Sequence, residues 1–114
     1  MEIHAHKVND VTVMNLAGDL IMGAPAEALR ARLYEALEGG AKFLALNLAK
    51  VHYIDSYGVG ALLAAHTTAI NAGRKCCFFG APPAILAILT VARVIKVLHL
   101  FPDEASALSS LRGE

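Results

Sequence analysis

The sequence has little charge. Only 18% of its 114 residues are Asp, Glu, Lys or Arg, and ten basic side chains balance ten acidic ones, so the formal net charge is zero with histidines neutral. No basic run is present that would neutralise a phosphate backbone, so nucleic-acid binding is not expected. Long apolar runs are also missing. None reaches the ~20 residues needed to cross a bilayer, and the richest, Gly80 to Leu100, is broken by Pro82, Pro83, Thr90, Arg93, Lys96 and His99. Met1 to Lys7 lacks the basic-then-apolar order of a signal peptide, so a cytoplasmic protein is expected. There is no tryptophan, and the only cysteines are the adjacent Cys76 and Cys77. Neighbours on a strand point to opposite faces, so a disulfide between them would be strained. Reduced core thiols are expected, since the C-x-x-C spacing of a redox pair is absent. No internal repeat, low-complexity tract or linker interrupts the chain.

Apolar residues make up 56% of the sequence, enough for one core in a single domain spanning residues 1–114. Ile3–Val8 and Val11–Ala17 read as two strands joined by a hairpin turn at Asn9-Asp10. Gly18-Asp19 opens a loop running to Pro25. Pro25–Glu38 reads as a helix that buries Leu29, Leu33, Ala36 and Leu37, with Gly39-Gly40 stopping it. Lys42–Leu48 is apolar enough for a central strand, and Ala49–Ile54 carries the chain out to Asp55-Ser56. A helix to about Ala72, strand Lys75–Phe79, a helix from Pro82-Pro83 to about Ala92, strand Ile95–Leu100 and a last helix after Pro102 complete the reading. The order β-β-α-β-α-β-α-β-α implies right-handed parallel crossovers after the hairpin. The expected fold is α/β, with a mixed sheet of about five strands and about four helices.

Asp55-Ser56-Tyr57-Gly58-Val59-Gly60 stands where a strand hands over to a helix, the usual place for function in such sheets. Either Asp55 or Ser56 can cap that helix. Gly58 and Gly60 each cost about 0.8–1 kcal/mol against Ala inside a helix, which points to another backbone approaching closely. From Ser56 to Gly73 no charged residue occurs. On a helical wheel Val59, Leu62, Leu63, His66 and Ile70 form the core stripe, and Tyr57, Ala61, Ala64, Ala65, Thr68 and Ala72 face outward. An uncharged outer face reads as a docking surface, for a partner or for a second copy in a homodimer. The following helix repeats the pattern, with Ile85, Ile88, Leu89 and Ala92 inward and Leu86, Ala87, Thr90 and Val91 outward.

The run Leu46-Asn47-Leu48 and Tyr53-Ile54-Asp55-Ser56-Tyr57-Gly58-Val59-Gly60 resembles the central motif of STAS domains, above all the anti-sigma factor antagonists. Gly18-Asp19-Leu20 resembles the family's loop after its second strand. Asn71-Ala72-Gly73 resembles the turn after its second helix, and Val94-Ile95-Lys96-Val97-Leu98 the entry to its last strand. The resemblance implies a STAS fold and a partner-switching role. The unmodified protein would bind an anti-sigma factor that is itself a serine kinase, releasing sigma factor. The kinase would phosphorylate Ser56, and a phosphatase would reverse the mark. Taken with the uncharged outer faces of the two helices, it leads to the expectation that Asp19, Asp55, Ser56, Tyr57, Gly58, Gly60, Ala61, Ala64, Ala65, Thr68, Leu86 and Thr90 meet the partner. A STAS scaffold that is never phosphorylated, or a soluble component of a lipid-transport complex, would use the same face.

Other chemistry finds little support. Among His4, His6, His52, His66 and His99 only His4 and His6 share a strand face at close spacing, and no metal site is expected. The G-x-S-x-G elbow of a hydrolase is missing and His52 has no evident orienting acid, so enzymatic activity is not expected. Gly58-Val59-Gly60 lacks the remaining glycine of a dinucleotide-binding loop, and no cofactor is expected.

Overall fold

A computed structural model describes residues 1–113. Strands β1 (Glu2–Val8) and β2 (Val11–Leu20) pair antiparallel across Asn9-Asp10, from Val8 opposite Val11 to Glu2 opposite Ala17. Asn9 takes the left-handed conformation (φ 56°) that Asn tolerates in such turns. Strands β3 (Phe43–Ile54), β4 (Lys75–Phe79) and β5 (Leu100–Phe101) follow in parallel, so spatial order equals chain order. The connections run through helices α1 (Ala24–Glu38), α2 (Ser56–Asn71), α3 (Pro83–Val91) and α4 (Ile95–Leu98), and α5 (Glu104–Leu111) follows the last strand.

Strand alternation sorts the core into two layers. Met14, Leu16, Leu44, Leu46, Leu48 and Phe78 meet Leu29 and Leu33 of α1, Val59 and Leu62 of α2, Ile85 and Leu89 of α3 and Leu98 of α4. On the other side Val11, Val13, Ala45, Cys77 and Phe79 meet Ala107, Leu108 and Leu111 of α5. Burial of each large side chain contributes about 1.5–3 kcal/mol. Cys76 and Cys77 fall in opposite layers, both free and buried. Burial pushes both thiols up, Cys77 to about 12, so they are protonated and inert. Among the described residues no helix is long and apolar enough to cross a membrane.

The structure corrects four expectations. Gly18 and Asp19 belong to β2 rather than to a loop, opposite Val51 and Tyr53 of a β3 that continues unbroken to Ile54. Irregular register between Asn15 and Ala17, and between Gly18 and Asp19, lets the longer strands stay paired. The expected strand Ile95–Leu100 is a short helix followed by a two-residue strand, bringing the helices to five. Its apolar residues repeat at a helical rather than an alternating interval, with Val94 and Leu98 buried. On α2 the buried residues are Gly58, Val59, Leu62, Ala65 and Ala69, so Ala65 turns inward while Ile70 is 48% exposed. Leu63 and His66 are half-buried. Small residues at Gly58, Ala65 and Ala69 let α2 approach the sheet around Val59 and Leu62. On α3, Ile85 and Leu89 are buried as the pattern requires, but Ala92 is exposed because the helix has ended.

Candidate partner-binding site

Asp55 caps α2 from an extended conformation and ties three segments together. Its Oδ1 accepts the Gly58 N–H at 2.8 Å, its Oδ2 accepts the Met22 N–H at 3.1 Å, and its own N–H donates to the Leu20 carbonyl at 3.4 Å. The Met22 bond, ahead of those from the first turn of α2, holds the carboxyl below the usual carboxylate range against the opposing effect of desolvation. The ends of β2 and β3, the start of α2 and the loop before α1 are thereby fixed relative to one another.

Gly58 shows why that junction needs glycine. A Cβ there would lie 2.0 Å from the Leu20 carbonyl oxygen and 2.6 Å from Ile54 Cγ1. The approaching backbone expected from the sequence is therefore β2. Gly60 has nothing within 4 Å of a notional Cβ and no such reason.

Ser56 occupies the first position of α2, exposed, and its hydroxyl makes no hydrogen bond to the described residues. It borders two grooves. One, of about 450 Å³, runs between α1 and α2 with Ala61, Ala64, Ala65 and Thr68 along α2 and Arg30 and Tyr34 on α1. Tyr57, 60% exposed, stands at its rim. The other, of about 650 Å³, lies between the start of α2 and α3, bounded by Tyr53, Ile54, Val59, Ala87, Ile88 and Val91. Val91 is 84% exposed. Among the described residues Glu27, Arg30 and Asp55 are the only charged ones lining either groove.

Most residues expected at the partner surface therefore converge around Ser56. Gly58 is buried beneath it, and Ala65 forms part of the first groove's floor. Asp19 is exposed at the end of β2, outside both grooves. Leu86 and Thr90 are exposed on α3 but line neither groove; Thr90 Oγ1 donates to the Leu86 carbonyl at 2.7 Å. Their neighbours Ala87 and Val91 take that place. The part that α1 takes in the groove is not among the expected sites, because Arg30 carries the charge that marks an ordinary water-facing position.

Of the histidines, His4 Nε2 lies 3.8 Å from Glu2 Oε2, and His6 Nδ1 lies 3.1 Å from Asn15 Nδ2. No group of three or more His, Cys, Asp or Glu side chains that could hold a metal ion occurs among the described residues.

A family model for the STAS domain matches residues 2–107. Solved structures with the same fold include an anti-sigma factor antagonist from Mycobacterium paratuberculosis, with TM-score 0.87 and 20% identity over 97% of this chain and 93% of that one. The phosphorylated form of the Bacillus cell fate determinant SpoIIAA aligns with TM-score 0.73 and 19% identity, over 97% of this chain and 100% of that one. A third is the murine Slc26a9 anion transporter, with TM-score 0.77 and 18% identity over 96% of this chain and 19% of that one. At these identities the likeness establishes the fold.

Proposed function

This chain belongs to the STAS domain family, and we propose that it acts there as an anti-sigma factor antagonist switched by phosphorylation of Ser56. One observation carries the reading: Ser56 is exposed at a braced helix start, between two grooves whose walls are almost free of charge. In the unmodified state that surface docks an anti-sigma factor that is also a serine kinase, and sigma factor is released. The kinase transfers phosphate to Ser56 Oγ, and a phosphatase removes it. The similarity to an antagonist from M. paratuberculosis and to a phosphorylated SpoIIAA supports this assignment.

The electrostatics fit such a cycle. Phosphate adds about −1.5 to −2 charges beside Asp55, whose carboxylate is ionised at neutral pH. Because the Ser56 hydroxyl is exposed and hydrogen-bonded to nothing among the described residues, the fold loses no hydrogen bond on modification. The penalty falls on the complex, where the new charge must be desolvated against apolar surface. The protein acts in the cytoplasm by binding, with no catalysis, cofactor or nucleic acid of its own. A scaffold role without phosphorylation, as one part of a larger assembly, is the second reading. The same fold inside Slc26a9, of which it covers 19%, favours it.

The test incubates the protein with a candidate anti-sigma serine kinase and ATP and maps phosphate by mass spectrometry. Phosphate on Ser56 is expected, with Ser56→Ala binding the kinase at least tenfold more tightly than Ser56→Asp, a difference of about 1.4 kcal/mol. Absence of phosphate from Ser56, with equal binding by both variants, would leave the scaffold reading.

A further inference from the structure

Arg30 lines the groove between α1 and α2 that Ser56 also borders. Among the described residues it is the only cationic side chain lining either groove that meets Ser56. It has no carboxylate partner among the described residues; its guanidinium sits 6.0 Å from the centre of the Tyr34 ring. Helix α1 begins beside the junction that Asp55 ties together, and Arg30 stands four residues, about 6 Å of helix rise, beyond groove-lining Ala26. The arginine is thus held only by a weak aromatic contact, in the same groove that Ser56 borders.

We infer that Arg30 is the counter-ion of phosphoserine at position 56, leaving Tyr34 to form a charge-assisted pair with the phosphate. A guanidinium fork matches phosphate oxygens, and such a pair is stronger than an exposed cation–π contact. Among the described residues no other cation lines either groove: the charged groups there are Asp55 at the helix cap and Glu27 and Arg30 on α1, and the α3 side contributes Ala87, Ile88 and Val91. The switch then has two parts. Phosphate places charge on the docking surface, and the arginine drawn toward it fills the mouth of the α1–α2 groove. Arg30 is a positioning residue in this scheme and takes no part in phosphoryl transfer.

The inference rests on reading Ser56 as the phosphoacceptor, but its test does not need the kinase. Phosphoserine is installed at position 56 during translation, and the phosphate is titrated by phosphorus NMR in the otherwise unaltered chain, in Arg30→Met and in Glu27→Gln. The second phosphate pKa, ordinarily about 6, is expected to rise by several tenths of a unit in Arg30→Met and to fall in Glu27→Gln. The Tyr34 ring proton resonances are expected to shift on phosphorylation in the parent chain and not in Arg30→Met. Both substitutions lie on the exposed side of α1, and unchanged thermal midpoints confirm intact folds. Superimposable phosphate titrations for the parent and Arg30→Met overturn the inference. A kinase that leaves Ser56 unmodified would defeat the proposed function while leaving these titrations as they are.

Discussion

Two glycines two residues apart carry opposite obligations, although both cost helix propensity alike. At Gly58 the Leu20 carbonyl oxygen and Ile54 occupy the space a methyl group would need. Gly58→Ala must therefore push α2 away from β2, straining the bonds that cross the junction between Asp55 and Leu20 and Met22. A loss of about 1–3 kcal/mol is expected, the cost of overpacking a rigid site. At Gly60 the space is open and φ lies outside the left-handed region. Gly60→Ala is expected to gain about 0.8–1 kcal/mol from helix propensity. Its methyl group enters the groove between α1 and α2, which Gly60 lines, so partner affinity should fall as stability rises. Urea denaturation measured beside partner binding separates the two effects. Unchanged affinity in Gly60→Ala would mean that this groove is not used by the partner.

Among the elements, three helices end by the same device, and only two announce it. Helix α1 ends with Gly40 left-handed (φ 89°), its N–H bonded to the Leu37 carbonyl and that of Ala41 to Ala36. Helix α2 ends identically at Gly73, with bonds to Ile70 and Ala69. This is the Schellman arrangement, in which glycine fits best. Helix α3 repeats both bonds, from Arg93 to Thr90 and Val94 to Leu89, but places Arg93 at the left-handed position with φ 61°. The first two ends were legible in the sequence because glycine marks them. The third carries no glycine; its end is still expected near Ala92, where it falls, but the apolar run beyond it reads as a strand where the structure has the short helix α4. Asp55-Ser56 and the uncharged α2 face were legible for the converse reason, since local residue types define a cap and a helix surface. The contribution of α1 to the groove depends on how two helices lie side by side, which no single element encodes. Arg93→Gly is expected to raise stability by about 1 kcal/mol, the left-handed penalty of a side chain. A higher thermal midpoint with an unchanged far-ultraviolet circular dichroism spectrum would show it; no change would mean that the Arg93 side chain compensates through its own contacts.

For the whole molecule, the sheet separates a braced docking side from a back layer closed by α5, and the charges that tune stability are spread over both. Asp55 caps α2 on the first side. Asp103 caps α5 behind, its Oδ1 accepting the Ser106 N–H at 2.8 Å, a bond that holds its carboxyl below the usual range. His66 lies against His99 with ring centres 5.5 Å apart, and its Nδ1 is buried without a hydrogen-bond partner. Desolvation first, and the neighbouring imidazole second, depress its pKa below the ordinary value of 6.5. As pH falls through 6.5 the unfolded chain takes up the His66 proton before the folded chain does, so stability present above that pH declines toward the lower folded value. The carboxylates act in the same sense further down. Their stabilisation is present above the ordinary value of 3.8 and is lost as pH falls toward their depressed folded values. A plot of denaturation midpoint against pH should therefore descend in two stages on the acid side. His66→Gln should flatten the upper stage alone, since an amide does not titrate, and leave the lower stage to Asp55 and Asp103. An upper stage that persists in His66→Gln would assign it to another group.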